Sequence, residues 1–339
     1  MLTLAQVLPH LVHQFSSEAD LVRAVGELSE AFTKDRARIG DYLADRRLVA
    51  AYAAFYLTTN VPKLEGVFSW LTPDFRQEIL TSWQLIDVGA GPGTFSLAWK
   101  LLGGRLAPLM WEGSPLMREQ AERLLAGLTQ TPARFGAVEG EAPRLLLFGH
   151  SANEMGVEEA WRFVERADPQ LVMFIEPGTP EVFGLMLELR ERFVRGGWHI
   201  LYPCLHTAAC PLAADDWCHQ YLDVRHAPDV ERLTQLAHKD RRRMPVVVHM
   251  YDRTAPRARP ENLARIMRVH PPTKFSHEWE VCRTENGEMV HERFQLMFKH
   301  VPKEHARAVA ALRAGDLFSW ETERMVADTR RIKFPPEDS

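Results

Sequence analysis

Between Trp83 and Cys204, short apolar runs alternate with amphipathic stretches of helical period, and no other feature constrains the fold of this chain as strongly. WQLIDV, RLAPLMWEGS, RLLLFGH, QLVMFIEPG and WHILYPC read as strands. The segments between them, such as LMREQAERLLAGL and PEVFGLMLELRERFVRGG, read as helices. Strands and helices in strict alternation bury their apolar faces in a parallel, doubly wound sheet, so the expected class is α/β. Ahead of this region Leu21, Val22, Val25, Leu28 and Phe32 recur at helical spacing. Two more helices follow, with a break expected near Thr59, Asn60 and Pro62.

Four regions are expected on this pattern. They are an N-terminal helical region (1–80), the α/β core (81–203), a cysteine-rich insert with a β-hairpin (204–300), and a C-terminal helix with a tail (301–339). The hairpin rests on SHEWEVCRTENGEMVHERFQLMFK, which alternates around Asn286-Gly287, a pair suited to a two-residue turn. The helix rests on PKEHARAVAALRAG, and FPPEDS is expected to fray. No apolar run is long enough for a membrane span. The first residues lack a basic segment followed by an apolar one and carry Glu18 and Asp20, so a cytoplasmic location is expected. The formal net charge of −4 makes the chain as a whole no basic DNA binder.

LIDVGAGPGT places Gly89, Gly91 and Gly93 between a strand and a helix, where glycine allows a tight turn and close approach of a ligand to the backbone. The dinucleotide pattern needs glycine at 94, where Thr94 stands, and no GK[ST] follows to make a P-loop. The run resembles the first motif of Rossmann-like methyltransferases, which implies S-adenosylmethionine as cofactor. Glu112, at the end of the second strand, matches the acidic residue that holds the ribose hydroxyls. Asp87 would sit beneath the loop and order it, or face the methionine moiety.

The cysteines are four: Cys204, Cys210 and Cys218 in a C-x5-C-x7-C cluster, and Cys282 on the first hairpin strand. Four thiolates complete either a tetrahedral metal site or a cubane iron–sulfur cluster. The alternative is four separate buried thiols. The spacing does not match the short pairs of zinc sites, though zinc remains open, with His206 or His219 able to replace one ligand. With all four thiols used the site is closed, hence structural or electron-carrying.

Lys239, Arg241, Arg242 and Arg243 form a basic run, followed by Arg253, Arg257, Arg259, Arg265, Arg268 and Lys274. Such a run is either a solvated face or a phosphate-contacting patch. At the end of the fourth core strand, GHSANEMG lacks the double proline common in base N-methylation. There Asn153 and Glu154 could orient an amine and His150 could take a proton, or Asn153 and Glu154 could cap the next helix.

Taken together, AYAAFYLTTNVPKLEGVFSWL, IDVGAGPGT, ANEMG, IEPGTPEVF, YPCLHTAACPL with DWCH, and the late VC resemble the methyltransferase-like assembly proteins of the small ribosomal subunit over about residues 45–300. The resemblance implies a Rossmann-like fold, a 4Fe–4S cluster on Cys204, Cys210, Cys218 and Cys282, an S-adenosylmethionine pocket, and binding to the small subunit or its ribosomal RNA. The chain departs from the family in its acidic balance and in HTAAC between the first two cysteines. Two other readings stand beside it: a methyltransferase of a small molecule or protein with a structural metal clip, and a redox sensor that reports to translation.

Overall fold

The computed structural model describes residues 1–34, 44–213, 215–254 and 262–333. The chain forms two compact units. One comprises residues 1–176 and 222–244, the other residues 177–221 and 245–339.

The first unit holds a parallel sheet in the order β3-β2-β1-β4-β5, made of β1 (Gln84–Val88), β2 (Leu109–Trp111), β3 (Arg134–Phe135), β4 (Arg144–Gly149) and β5 (Leu171–Pro177). Each neighbouring pair runs parallel, with Val88 opposite Trp111 on one side and Phe148 on the other. The two central strands are buried along nearly their whole length, as in a sheet covered on both faces. The α/β class therefore stands as the alternation predicted it, except that WHILYPC, expected as a further parallel strand, pairs antiparallel with its neighbour.

The N-terminal region is helical: α1 (Glu18–Lys34), α2 (Arg46–Tyr52), α3 (Thr58–Phe68) and α4 (Pro73–Ser82). The break expected at Thr59, Asn60 and Pro62 does not occur. Residues Ala53–Leu57 widen into a π-helix and α3 continues through Pro62. Threonine hydroxyls supply donors to the preceding turn: Thr58 Oγ1 to Ala54 O (2.7 Å), and Thr59 Oγ1 to Phe55 O (2.9 Å). The proline ring clash is absorbed by the wider turn. Three helices of the core follow: α5 (Thr94–Leu101), α6 (Pro115–Thr129) and α7 (Ala152–Ala167).

The second unit contains α8 (Pro180–Arg195). It also contains β6 (His199–Tyr202), antiparallel to β8 (Arg243–Asp252), which comes after the short β7 (Gln220–Asp223). Its six-stranded sheet has the order β12-β9-β10-β11-β14-β13. The strands are β9 (Leu263–Val269), β10 (Ser276–Glu285), β11 (Glu288–Met297), β12 (Leu317–Ser319), β13 (Glu321–Val326) and β14 (Thr329–Lys333). The expected hairpin is β10–β11, turned by Asn286 and Gly287, both at positive φ. Ala264 and Ile266, Trp279 and Val281, and Phe294 and Leu296 alternate onto one face and bury together with Phe318 and Trp320.

Beyond residue 301 the structure differs from expectation. The helix shrinks to Ala306–Ala310, and 317–333 forms three strands instead of a tail. FPPEDS lies outside the described residues.

Candidate functional site

In the first unit a cleft of about 530 Å3 opens at the carboxyl ends of β1, β2 and β4. β1 runs into the glycine turn, where Gly89, Gly91 and Gly93 all take positive φ (64°, 53° and 81°). Their reasons for being glycine differ. A Cβ at Gly89 would lie 2.6 Å from Ser151 Cβ, and one at Gly93 would lie 3.2 Å from Ala121 Cβ. A Cβ at Gly91 would meet nothing within 4 Å, so this backbone faces open space in the cleft wall.

Asp87 orders the turn. Its Oδ2 accepts from Ser96 N (2.9 Å) and Ser96 Oγ (2.8 Å), tying the strand end to the first turn of α5. Its Oδ1 is buried without a partner. Burial pushes the carboxyl up to about 7, against the pull of the Ser96 donors. Glu112 closes the rim: Oε2 accepts from Gly91 N (2.8 Å) and Oε1 from Ser114 N (2.7 Å). Each carboxylate oxygen can accept more than one donor, so the group retains capacity for hydroxyls. Met110, Trp111 and Phe163 supply apolar wall, and the Arg166 guanidinium lies 4.8 Å from the centre of a Trp111 ring.

The polar end of β4 is built differently from the sequence reading. The start of α7 is not capped by Asn153 or Glu154. Glu176, fully buried at the end of β5, takes the N–H groups of Ser151 (3.2 Å), Ala152 (3.0 Å) and Asn153 (3.5 Å). Burial raises its carboxyl to about 8, opposed by those three donors. With its amide nitrogen turned toward them, the Asn153 side chain donates to Glu176 Oε2 (2.8 Å) and His150 O (3.1 Å). Glu154 lines the cleft.

His150 stands in the left-handed region (φ 62°) and lines the cleft, its ring roughly parallel to that of Phe95. Its Nε2 lies 2.6 Å from Lys63 Nζ. Lys63, on α3, is 2% exposed. Burial and the nearby Arg241 hold its amine well below the usual lysine range, while Glu176 pulls the other way. Burial, Lys63 and Arg241 likewise hold His150 well below the usual histidine range. Sequence reading named His150 but missed Lys63. A lysine four residues after Thr59 in a helix carries no mark of burial, and its partner is 87 residues away.

The basic run separates. Arg241 turns inward, donating to Asn60 Oδ1 (3.2 Å) and lying 5.7 Å from the centre of the Tyr56 ring. Arg242 pairs with Asp240 (2.7 Å), and Arg243 stands 3.9 Å from Asp223. Lys239 is exposed. Arg257 and Arg259 lie outside the described residues.

In the second unit one apolar-walled cavity is lined by all four cysteines, Cys204, Cys210, Cys218 and Cys282, together with Arg190, Met267 and Met289. None of the four is in a disulfide. Alternation along β10 turns Val281 into the sheet's core and Cys282 to the opposite face. Arg190 Nε donates to Cys204 Sγ (3.4 Å), and Gln220 Nε2 to Cys218 Sγ (3.4 Å). Burial pushes the thiols of Cys210, Cys218 and Cys282 up. Among the described residues no three of these sulfurs come within 4.8 Å of one another. His206 Nδ1 accepts from Ala208 N (3.0 Å), and the His219 ring lies against Trp217; neither lines the cavity. A separate trio, Asp216, Glu280 and His291, does come within 4.8 Å, but the Arg268 guanidinium already bridges the two carboxylates.

Among the described residues no helix is long and apolar enough to cross a membrane. No curated protein matches the chain. Solved structures that resemble it include a candidate RNA methyltransferase from Pyrococcus horikoshii, with 11% identity over 61% of this chain and 86% of that one and a TM-score of 0.36. The ribosomal protein L11 methylase of Lactobacillus delbrueckii subsp. bulgaricus shares 14% identity over 58% of this chain and 79% of its own, with a TM-score of 0.34. The magnesium protoporphyrin IX methyltransferase of Synechocystis PCC 6803, solved with bound S-adenosylmethionine, shares 10% identity over 68% and 97%, with a TM-score of 0.36. The profile of the family described as mitochondrial small ribosomal subunit Rsm22 matches residues 49–284, well over half of the sequence, and the chain belongs to that family.

Proposed function

We propose that this protein binds S-adenosylmethionine in the β1–β2–β4 cleft and acts on small-subunit ribosomal RNA during assembly of the subunit in the cytoplasm, as a methyltransferase of that RNA. The observation that carries the cofactor is the turn itself. Gly91 presents backbone with open space where a Cβ would be, directly bonded to a carboxylate that retains acceptor capacity. The cleft volume lies within the usual range of ligand pockets, about 300–1,000 Å3. Glu112 would hold the ribose hydroxyls, and Met110, Trp111 and Phe163 the adenine. S-adenosylmethionine, when bound, supplies an activated methyl group. Family membership supports the ribosomal partner.

Glu112→Ala is expected to weaken S-adenosylmethionine binding about 5- to 150-fold, the loss of one or two hydrogen bonds to a charged group at about 1–3 kcal/mol. Calorimetry reads this. No binding to the wild type would overturn the cofactor reading and leave an RNA-binding scaffold.

We also propose a 4Fe–4S cluster on Cys204, Cys210, Cys218 and Cys282. The donor set fits, since four thiols outside any disulfide line one cavity with Arg190 and Gln220 each donating to a sulfur. A single zinc with bonds of about 2.3 Å would draw its sulfurs to about 3.8 Å of each other. Among the described residues no three of the sulfurs lie within 4.8 Å of one another, so the thiols are not gathered around a single zinc, and the cluster reading rests on the four thiols lining one cavity. Anaerobically purified protein is expected to carry about four irons per chain, with acid-labile sulfide, and Cys282→Ser to lose them. Stoichiometric zinc without sulfide, in cells grown with ample iron, would sink the cluster.

A further inference from the structure

The contacts proposed for the cofactor leave the Lys63–His150 pair unused. At 2.6 Å, two basic nitrogens share a hydrogen bond only if at least one offers a lone pair. The pair therefore carries at most one extra proton and titrates as a unit. Among the described residues no carboxylate is in hydrogen-bond contact with Lys63, which is unusual for a lysine that is 2% exposed. The charged and titratable groups around the pair are few. Arg241, anchored on Asn60, opposes a proton; Glu176, at the end of β5, favours one; Tyr52 and Glu154 line the same cleft, and Tyr56 lies against Arg241.

With neutral Lys63 accepting His150 Nε2–H, the other ring nitrogen, Nδ1, bears a lone pair on a ring that lines the cleft. Arg241 and burial favour this uncharged resting state. Glu176, whose carboxyl burial raises to about 8, favours the ammonium to the extent that it is ionised.

We infer that His150 and Lys63 form a proton relay serving a methyl acceptor that carries a removable proton, an N–H or O–H group. This rests on the methyl-transfer reading above and narrows its substrate class. In the step, the acceptor's N or O forms a bond to the methyl carbon, and the C–S bond of the sulfonium breaks with its electron pair going to sulfur. The acceptor's proton passes to His150 Nδ1, and the proton on Nε2 passes to Lys63. The sulfonium charge is thus replaced by a lysine ammonium near Glu176. An acceptor without a proton, such as a thioether or tertiary amine, would have no use for the pair. His150 would be the catalytic residue and Lys63 the positioning residue that stores the proton.

The test uses the intact chain labelled with 13C at lysine Cε, with the Lys63 signal assigned by its loss in Lys63→Met. The expected result is a neutral Lys63 amine at pH 7.5. Methyl transfer from methyl-tritiated S-adenosylmethionine to small-subunit ribosomal RNA is followed in parallel. Wild type should hold its plateau rate down to neutral pH and lose rate on further acidification. Lys63→Met should fall by about 10²-fold or more with near-normal cofactor binding. Lys63→Arg, whose guanidinium cannot accept a proton, should not rescue it. A Lys63 that stays an ammonium through pH 9 while wild type transfers methyl groups would overturn the relay and leave the methyl-transfer reading intact. So would a Lys63→Met variant with wild-type rate and pH profile. A wild type that binds cofactor but methylates no N–H or O–H group in that RNA would overturn the methyl-transfer reading, and the relay with it.

Discussion

Gly149→Ala is expected to destabilise the first unit by about 3 kcal/mol or more, the upper end for overpacking a tight core. Gly149 ends β4, and a Cβ there would lie 2.1 Å from both Cδ2 and Cε2 of Phe95. Phe95 is 2% exposed on a helix whose first turn is tied to Asp87, so its ring has little room to retreat. Any retreat would also move the ring lying against His150. Gly91→Ala is the control: its Cβ meets nothing, and only the backbone conformation objects, at about 1 kcal/mol. Urea denaturation should thus separate the pair by at least 2 kcal/mol. Calorimetry with S-adenosylmethionine should show Gly91→Ala impaired in binding despite its stability. Equal unfolding midpoints would mean that the β4 terminus yields to the added methyl.

Arg190→Ala should be the most damaging single change in the second unit. The guanidinium is fully buried, yet it donates to Cys204 Sγ, His206 O, Ala208 O and Glu191 Oε1. One side chain on α8 therefore organises much of the loop that carries the first two cysteines. Truncation leaves two carbonyls without donors and a cavity behind, for an expected loss of about 3–5 kcal/mol. A second readout is more specific. In protein stripped of metal, Cys204 and Cys210 should react with a disulfide reagent at least several-fold faster in the variant, while Cys282 on β10 should change little. Uniform acceleration of all four thiols would indicate global loosening rather than release of the loop.

These sites differ in how far the sequence reveals them. The glycine turn and Glu112 were legible because the chemistry is local. A strand, three glycines and a helix are consecutive, and the carboxylate comes at the next strand end. The cysteines were legible by type and rarity. Lys63 was hidden because helical periodicity describes which side of α3 is apolar, not that a polar residue on it is matched by a histidine from another element. Arg241 was misread for the complementary reason. Next to Lys239 and Arg242 it looks like one more surface charge, whereas Asn60 and Tyr56 hold it inside. The last strands escaped because β13 is largely exposed and rich in charge. Its pairing with β14, and that of β14 with β11, defines them better than any alternation of their own.

The first unit is not a continuous piece of chain. It closes only when residues 222–244 return to it, after an excursion that includes Cys204, Cys210 and Cys218. Asn60 waits 181 residues for Arg241. At synthesis rates of about 5–20 residues per second, that is a delay on the order of ten seconds or more on the ribosome. The cleft therefore cannot reach its final electrostatics until three of the four cysteines have been made. A truncation at residue 176 would yield a first unit whose buried lysine lacks the neighbouring cation that adds to burial in disfavouring its charge. Order of synthesis thus places completion of the β1–β2–β4 cleft after emergence of most of the thiol site.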